Sequence, residues 1–367
     1  MLNIIFYVFV AVAVVQLVYY LGIFGKFSFA KPQAITPKRL SVSVVVCAKN
    51  DAEKVKELIP VLATQNYPDF ELVLIDNASS DETLDVFEEF EKQYANIRLV
   101  KVENNEAFWG NKKYALTLGI KAARKDYLLF TDAHCYPTSP DWILSMTSQF
   151  TLNKTIILGY SAYEKTKSFL NKIIRFNAII TATQQFAWAK LGKPFTGDGR
   201  NLAYKKDEFF KRNGYINHMS IPTGADALFV NDAATKKNTA VCYAPESFTY
   251  SKAQKTFAEF IKEKRRAAFT ASFFKPLDRF VVKLFTFFQV AFFVLAIVLL
   301  ALQYNWMFIV PVIAIRYIAA WITVAQSAAR LNEKDAAYWF PVMEIILIFT
   351  QLYVYIANLT SKPVHWK

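Results

Sequence analysis

The chain has 367 residues, 54% of them hydrophobic and 16% aromatic, with a formal charge of +13. That length holds two or more structural units and a large core. Three widely spaced cysteines make neither a disulfide framework nor a metal pattern, and the lack of a GxGxxG or P-loop argues against a dinucleotide oxidoreductase or an NTPase.

In chain order, the first element is "LNIIFYVFVAVAVVQLVYYLGIF" at 2–24, uncharged over a bilayer-spanning length. It lacks the charged start and cleavage site of a signal peptide, so it reads as a retained transmembrane helix. Apolar runs at 42–48, 71–76, 96–102 and 126–132 predict strands, with helical patterns at 51–65, 82–94 and 111–124 between them. Their near-continuous apolar character predicts burial on both faces, and the alternation predicts a mostly parallel sheet within a unit at 40–250. The basic stretch at 251–280 has apolar residues at 257, 260, 261, 268 and 269. It is expected to lie as an amphipathic segment on the membrane surface, its cations toward anionic lipid. Much of the positive charge is thereby explained, and no recognised module accompanies it, so nucleic acid is not an expected partner.

Three more spans are predicted at 284–303, 306–326 and 338–359, forming a membrane region at 281–360. Arg316 and Glu344 interrupt the last two and are expected either to face the helix bundle or to snorkel. Lys26, Lys31, Lys38 and Arg39 follow the first span, which places 26–279 on the cytoplasmic side of the inner membrane; Lys362 and Lys367 fit that orientation poorly. Cys47, Cys135 and Cys242 are expected to be plain buried thiols.

Ligands of such sheets bind beyond the carboxyl ends of the strands. Those ends carry Lys49-Asn50-Asp51, the run from Asp76 to Asp81, and Asp132-Ala133-His134, so acidic and amide groups converge on one rim. Asp81, with Ser79 and Ser80 before a helix, reads first as a cap. Asp76 ends a strand, and a ligand role and a structural role are equally open for it. Asp132 and His134 are either a pair of metal ligands, or a carboxylate holding an ion with waters beside a loop histidine.

Four ordered blocks between about residues 41 and 270 resemble the membrane-anchored family 2 glycosyltransferases with a GT-A fold. They are "CAKNDAEKVKELIPVLATQNYPDFELVLIDNASSDET", "GNKKYALTLGIKAARKDYLLFTDAHCYPTSPDWI", "GRNLAYKKDEFFKRNGY" and "TGADALFVNDAA". The resemblance implies an α/β fold, with a GT-A (Rossmann-like, mostly parallel) cytoplasmic domain plus transmembrane helices. It also implies inverting, hexosyltransferase-type transfer from a nucleotide sugar. On this resemblance, Asn50, Asp51, Asp76, Lys113 and Asp132 bind the donor nucleotide, and Asp132 with His134 holds a divalent cation. Asp226 is the catalytic base, while Asn201, Arg265 and Arg266 lie on the diphosphate or acceptor side. His134 stands where the family usually has Asp; a DxH triplet also resembles that of the polypeptide N-acetylgalactosaminyltransferases, and imidazole favours manganese over magnesium. Ala225 replaces an acid beside the base. The family's Gln-x-x-Arg-Trp is reduced to Glu263, Arg266 and Ala267, which weakens a reading as a processive polysaccharide synthase.

The expected partners are a UDP- or GDP-linked donor, a lipid-linked or glycan acceptor of cell-envelope glycan synthesis, and membrane lipids. The alternatives are a processive synthase and a catalytically inactive membrane protein that senses sugar nucleotides or scaffolds other proteins.

Overall fold

A computed structural model of the chain describes residues 2–103 and 112–361. Gly110 and Asn111 of the second block, and Lys362 and Lys367, lie outside the described residues. The chain forms two compact units, one of Met1–Lys31, Lys167–Leu191 and Lys255–Lys362, the other of Pro32–Thr166 and Gly192–Gln254.

The second unit runs β1 (Val42–Ala48), α1 (Ala52–Ala63), β2 (Phe70–Asp76), α2 (Thr83–Gln93), β3 (Ile97–Lys101), α3 (Lys112–Ala122), β4 (Tyr127–Asp132), β5 (Cys135–Pro137), α4 (Trp142–Thr147), β6 (Ile156–Leu158) and β7 (Ser161–Tyr163). The chain then makes α5 (Phe169–Lys190), which belongs to the other unit. It returns through β8 (Leu202–Lys205), α6 (Lys206–Lys211), α7 (Ala225–Ala233), β9 (Thr239–Val241) and β10 (Thr249–Ser251). Seven strands form one sheet in the order β3-β2-β1-β4-β8-β6-β9, and β5-β10-β7 form a smaller one. The first four strands are parallel, whereas β8 runs antiparallel to both β4 and β6.

All seven residues of β1 are buried, as its unbroken apolar run requires of a strand covered on both faces. Its one polar side chain, Ser43, donates to Glu71 at 2.6 Å. Val55, Leu58, Ile59 and Leu62 make the buried stripe of α1 at helical spacing. Gly119 lets α3 sit close on β2, because a Cβ there would stand 2.6 Å from Ile75 Cγ1. Register decides what the rim presents: Ala48 of β1 pairs with Asp76, and Cys47 with Asp132. Both acids therefore end strands that flank β1.

Among the described residues, the first unit holds four helices long and apolar enough to cross a membrane: Leu2–Ser28, Pro276–Ala301, Trp306–Arg330 and Phe340–Thr360. The second of these starts eight residues before the apolar run read from the sequence. Pro276 at its first turn is pre-set for helix, Asp278 suits the positive end, and the helix continues through Arg279 and Lys283. Ahead of it lies α8 (Phe257–Ala271), opened by a capping box of Thr256 and Glu259.

Arg316 faces the bundle and does not snorkel. It is wholly buried, donating to Glu344 Oε2 at 2.7 Å and to Gln16 at 2.9 Å, while Tyr20 and Gln289 donate to the other Glu344 oxygen. The rings of Tyr20, Phe292, Phe293 and Tyr317 surround its guanidinium at 5.1–5.5 Å. Helix α5, absent from the sequence reading, joins this unit through Arg175, which donates to Glu333 at 2.7 Å and to Asp335 at 2.7 and 2.8 Å.

Candidate active site

The site occupies the carboxyl rim of the large sheet. At the end of β1, Asn50 takes a left-handed backbone (φ 55°), and Ala78 opposite does the same (φ 53°); such strain in non-glycine residues collects at ligand sites. The Asn50 side chain accepts from Ser80 N at 2.8 Å, and its own N–H donates to Ser79 Oγ at 3.1 Å, so two of the loops hold each other. Asp51 pairs with Lys54, and its N–H donates to Thr83 Oγ1 at 2.9 Å. Asp76 is buried and, among the described residues, its carboxylate accepts only long bonds from Ser79 N, at 3.3 and 3.4 Å. Asp81 is a cap twice over, accepting from Ala52 N at 3.2 Å and Thr83 N at 3.0 Å, the first residues of α1 and α2. Beside Asp76, the buried amide nitrogen of Asn77 has no partner.

At the end of β4, Lys112 is bonded to Asp132. Burial alone would raise the Asp132 pKa, but Lys112, His134 and Arg200 outweigh it and bring the carboxyl down to about 2. His134 is exposed at the rim; protein packed round its ring lowers its pKa, Asp132 opposes this, and Lys112, Arg200 and Lys54 add to it. The pair thus offers an anionic carboxylate and a neutral imidazole, both in the state a metal needs. Among the described residues no group of three or more His, Cys, Asp or Glu could hold a metal. The donor set therefore fits a cation that takes its other ligands from a substrate and water, not an all-protein cage.

Asp226 lies in the first turn of α7, after Gly224 in the left-handed conformation (φ 71°). Its carboxylate rests against Gly199, where a Cβ would collide with both oxygens. Burial pushes its pKa to about 6; Lys112 pulls it down, while Asp132 and Asp198 push it up. A half-buried carboxylate with that proton affinity can take a proton near neutral pH.

Two sequence assignments land elsewhere. Lys113, read as a donor-phosphate contact, is 2% exposed and its ammonium is bonded to the carbonyls of Ile221 and Thr223. It staples the loop that presents Asp226, and its neighbour Lys112 faces the rim instead, since adjacent helical residues point about 100° apart. Asn201, read as lining the diphosphate or acceptor side, is fully buried. Its amide donates to Tyr160 O at 2.7 Å and Ser247 O at 2.6 Å and accepts from Trp142 at 3.2 Å, so it braces the floor under β8.

Arg200 and Asp198 were not singled out from the sequence. Arg200 forks onto Asp198, Nη2 to Oδ2 at 2.6 Å, and its guanidinium lies 4.9 Å from the Tyr163 ring. "GDGR" was the signal for them, two glycines alternating with two oppositely charged residues. Arg265 belongs to the other unit, where it donates to Asn358 at 2.9 Å and Ser361 O at 2.6 Å. Arg266 lies in that unit too. The three cysteines are buried and free, and burial pushes Cys47 and Cys135 up to about 12, so these thiols are inert.

Residues 43–208 match the family model described as glycosyl transferase family 2. Over these residues the chain is similar to glycosyl transferase family 2. This domain has the GT-A fold: the chain superimposes on the mannosyltransferase PcManGT of Pyrobaculum calidifontis, solved with GDP-Man and Mn2+, with a TM-score of 0.57 and 14% identity over 92% of this chain and 99% of that one. In sequence it is 27% identical over 176 residues to a dolichyl N-acetyl-alpha-D-glucosaminyl phosphate 3-beta-D-2,3-diacetamido-2,3-dideoxy-beta-D-glucuronosyltransferase of Methanococcus voltae, covering 46% of this chain and 49% of that one. It is also 27% identical over 193 residues to the uncharacterized glycosyltransferase EpsJ of Bacillus subtilis, covering 48% of this chain and 54% of that one. The chain thus spans about half the length of these curated relatives.

Proposed function

We propose that the chain is an inverting glycosyltransferase, moving a sugar from a UDP- or GDP-linked donor to a lipid-linked or glycan acceptor at the cytoplasmic face of a membrane. The observation that carries this reading is the Asp226 carboxylate, half-buried, set near pH 6 and influenced by Lys112 at the start of α3 and Asp132 at the end of β4. In a single displacement the acceptor hydroxyl loses its proton to Asp226 as its oxygen bonds the anomeric carbon. The bond from that carbon to the phosphate oxygen breaks, and the nucleoside diphosphate leaves. One base suffices, so the loss of a second acid at Ala225 does not stop the reaction.

Lys112 is a cation already at the rim, and with Arg200 it meets the charge of the diphosphate. Asn50, Asp51 and Asp76 line the nucleoside side, and Lys113 keeps the Asp226 loop in place. A divalent cation bound at Asp132 and His134 supplies Lewis-acid stabilisation of the leaving diphosphate. Imidazole ligation favours manganese there, in keeping with the Mn2+ of the archaeal mannosyltransferase. The dolichyl-phosphate substrate named for the Methanococcus relative, and the four apolar helices of this chain, favour a lipid-linked acceptor. The cations after the first span favour a cytoplasmic site. Helix α8 and the residues up to Phe280 expose Phe257, Phe273, Leu277 and Phe280 among basic residues, which suits the membrane surface. Arg266, whose buried Nε has no partner, is a spare donor for an anion in that region.

The test is UDP and GDP binding to the purified full-length protein in detergent, with manganese, magnesium or chelator, in wild type and His134→Ala. The expected result is manganese-dependent binding that His134→Ala weakens. Binding that ignores metal, or its absence in wild type, would contradict the proposal.

A further inference from the structure

The end of the Phe340–Thr360 helix makes bonds that a fourth crossing of the bilayer does not allow. The other three long helices fix the two ends of a bundle. At one end Ser28 Oγ lies 2.7 Å from Ser327 Oγ, and Ser28 O accepts from Arg330 at 2.7 Å. At the other end Tyr304 is bonded to Asn3. The Pro276–Ala301 helix runs from the Ser28 end to the Asn3 end, since Phe24 packs on Phe285 at 5.1 Å and Phe9 on Phe292 at 5.3 Å.

Helix α8 belongs to the Ser28 end. Arg279, near the start of the Pro276 helix, donates to Ser272 O at 2.9 Å, just beyond α8. From Ser272 back to Arg265 is about 10 Å of helix, against a hydrocarbon thickness of roughly 30 Å. Lys262, Glu263, Lys264, Arg265 and Arg266 follow one another in α8, a charge density that hydrocarbon does not accept.

The Phe340 helix starts inside the bundle. Ala337 O accepts from Trp321 Nε1 at 2.9 Å, and Phe340 stacks on Trp321 with centroids 6.4 Å apart. Glu344 then meets Gln289 and Arg316, each about 20 Å along its own helix from the Ser28 end. A crossing helix would continue to the Asn3 end. This one is bonded to α8 instead, about 21 Å further on. Arg265 Nε donates to Asn358 Oδ1 at 2.9 Å, and Asn358 Nδ2 returns a bond to Arg265 O at 3.1 Å. Arg265 Nη2 donates to Ala357 O at 3.1 Å and Ser361 O at 2.6 Å, meeting carbonyls that a helix end leaves without intrahelical partners.

We infer that the last apolar helix is re-entrant: it dips to the Arg316–Glu344 pair and brings the chain back to the side it entered from. The described residues then cross the bilayer three times. The exposed side chains Ile345, Phe349, Leu352 and Ile356 face the acyl chains of one leaflet. The same path accounts for Lys362 and Lys367, which the preference of cations for one side places with Lys26 and Lys31.

The experiment reads the sidedness of the chain and not its turnover, so it is independent of the glycosyltransferase reading. Lys262→Cys in α8, Gln303→Cys at the Asn3 end, Lys362→Cys and Lys367→Cys are made singly in the full-length protein. The unsubstituted chain is the blank, its three thiols being buried. A membrane-impermeant maleimide is added to sealed membrane vesicles, right-side-out in one sample and inverted in the other. Lys362→Cys and Lys367→Cys should react in the same vesicles as Lys262→Cys, with reaction lost in those where Gln303→Cys reacts. Reaction of either in the vesicles that label Gln303→Cys overturns the inference. So does a failure of both to react from the Lys262 side when both react in detergent.

Discussion

Each unit of the molecule keeps an ion pair out of bulk water, and the two pairs are built differently. In the helical unit, Arg316 and Glu344 are 0% and 2% exposed, both carboxylate oxygens are bonded, one of them by several donors, and four aromatic rings cover the guanidinium. In the sheet unit, Lys112 and Asp132 keep 24% and 19% of their side-chain surface, and among the described residues only one carboxylate oxygen is bonded. A closed pair fixes packing. An open pair beside a neutral imidazole and a proton acceptor is arranged for something that arrives from outside.

Breaking the closed pair should have the largest effect. Arg316→Met leaves Glu344 buried without its countercharge, at a cost of about 3–5 kcal/mol, read as a lower unfolding midpoint in detergent. Arg316→Met with Glu344→Met should recover most of it, since an apolar pair of similar volume needs no countercharge. Gly199→Ala leaves the fold intact but drives a methyl into the Asp226 carboxylate, so turnover should fall roughly 100-fold with nucleotide affinity kept. Lys112→Met, which opens the second pair, should weaken nucleotide binding about 10- to 100-fold, the worth of one charge-assisted bond. Lys113→Met should act on turnover instead, because Lys113 holds the Asp226 loop and not the rim. The smallest effect is of pH: a base set near 6 must be ionised to work, so kcat/KM should level off above that value and fall about tenfold per unit below it.

The same contrast marks what the sequence could reveal. Long apolar runs and strand–helix alternation carry strong periodicity, so the four long apolar helices and β1 to β4 were legible, the start of the Pro276 helix being missed by eight residues. Asp132 was singled out by its place at a strand end, and Asp226 only by the resemblance to the family 2 glycosyltransferases. Orientation was not legible: Lys112 and Lys113 are alike in type, and only the phase of α3 separates a rim cation from a buried staple. Asn201 was visible as a residue of note, but its saturation by Tyr160, Ser247 and Trp142 depends on contacts far apart in the chain. Helix α5 mixes apolar residues with Asn171, Arg175 and Gln185, all buried in a unit built from distant segments, so no local pattern announced its place. The antiparallel β8 is four residues long, too short to show its direction.

The central claim is that Asp226 removes the acceptor proton. The measurement that tests it most directly is sugar transfer by full-length wild type and Asp226→Asn, with nucleotide binding followed in parallel. The account predicts a fall in kcat of about 100- to 10,000-fold with nucleotide affinity nearly unchanged. Turnover that survives in Asp226→Asn within a few-fold of wild type would contradict it.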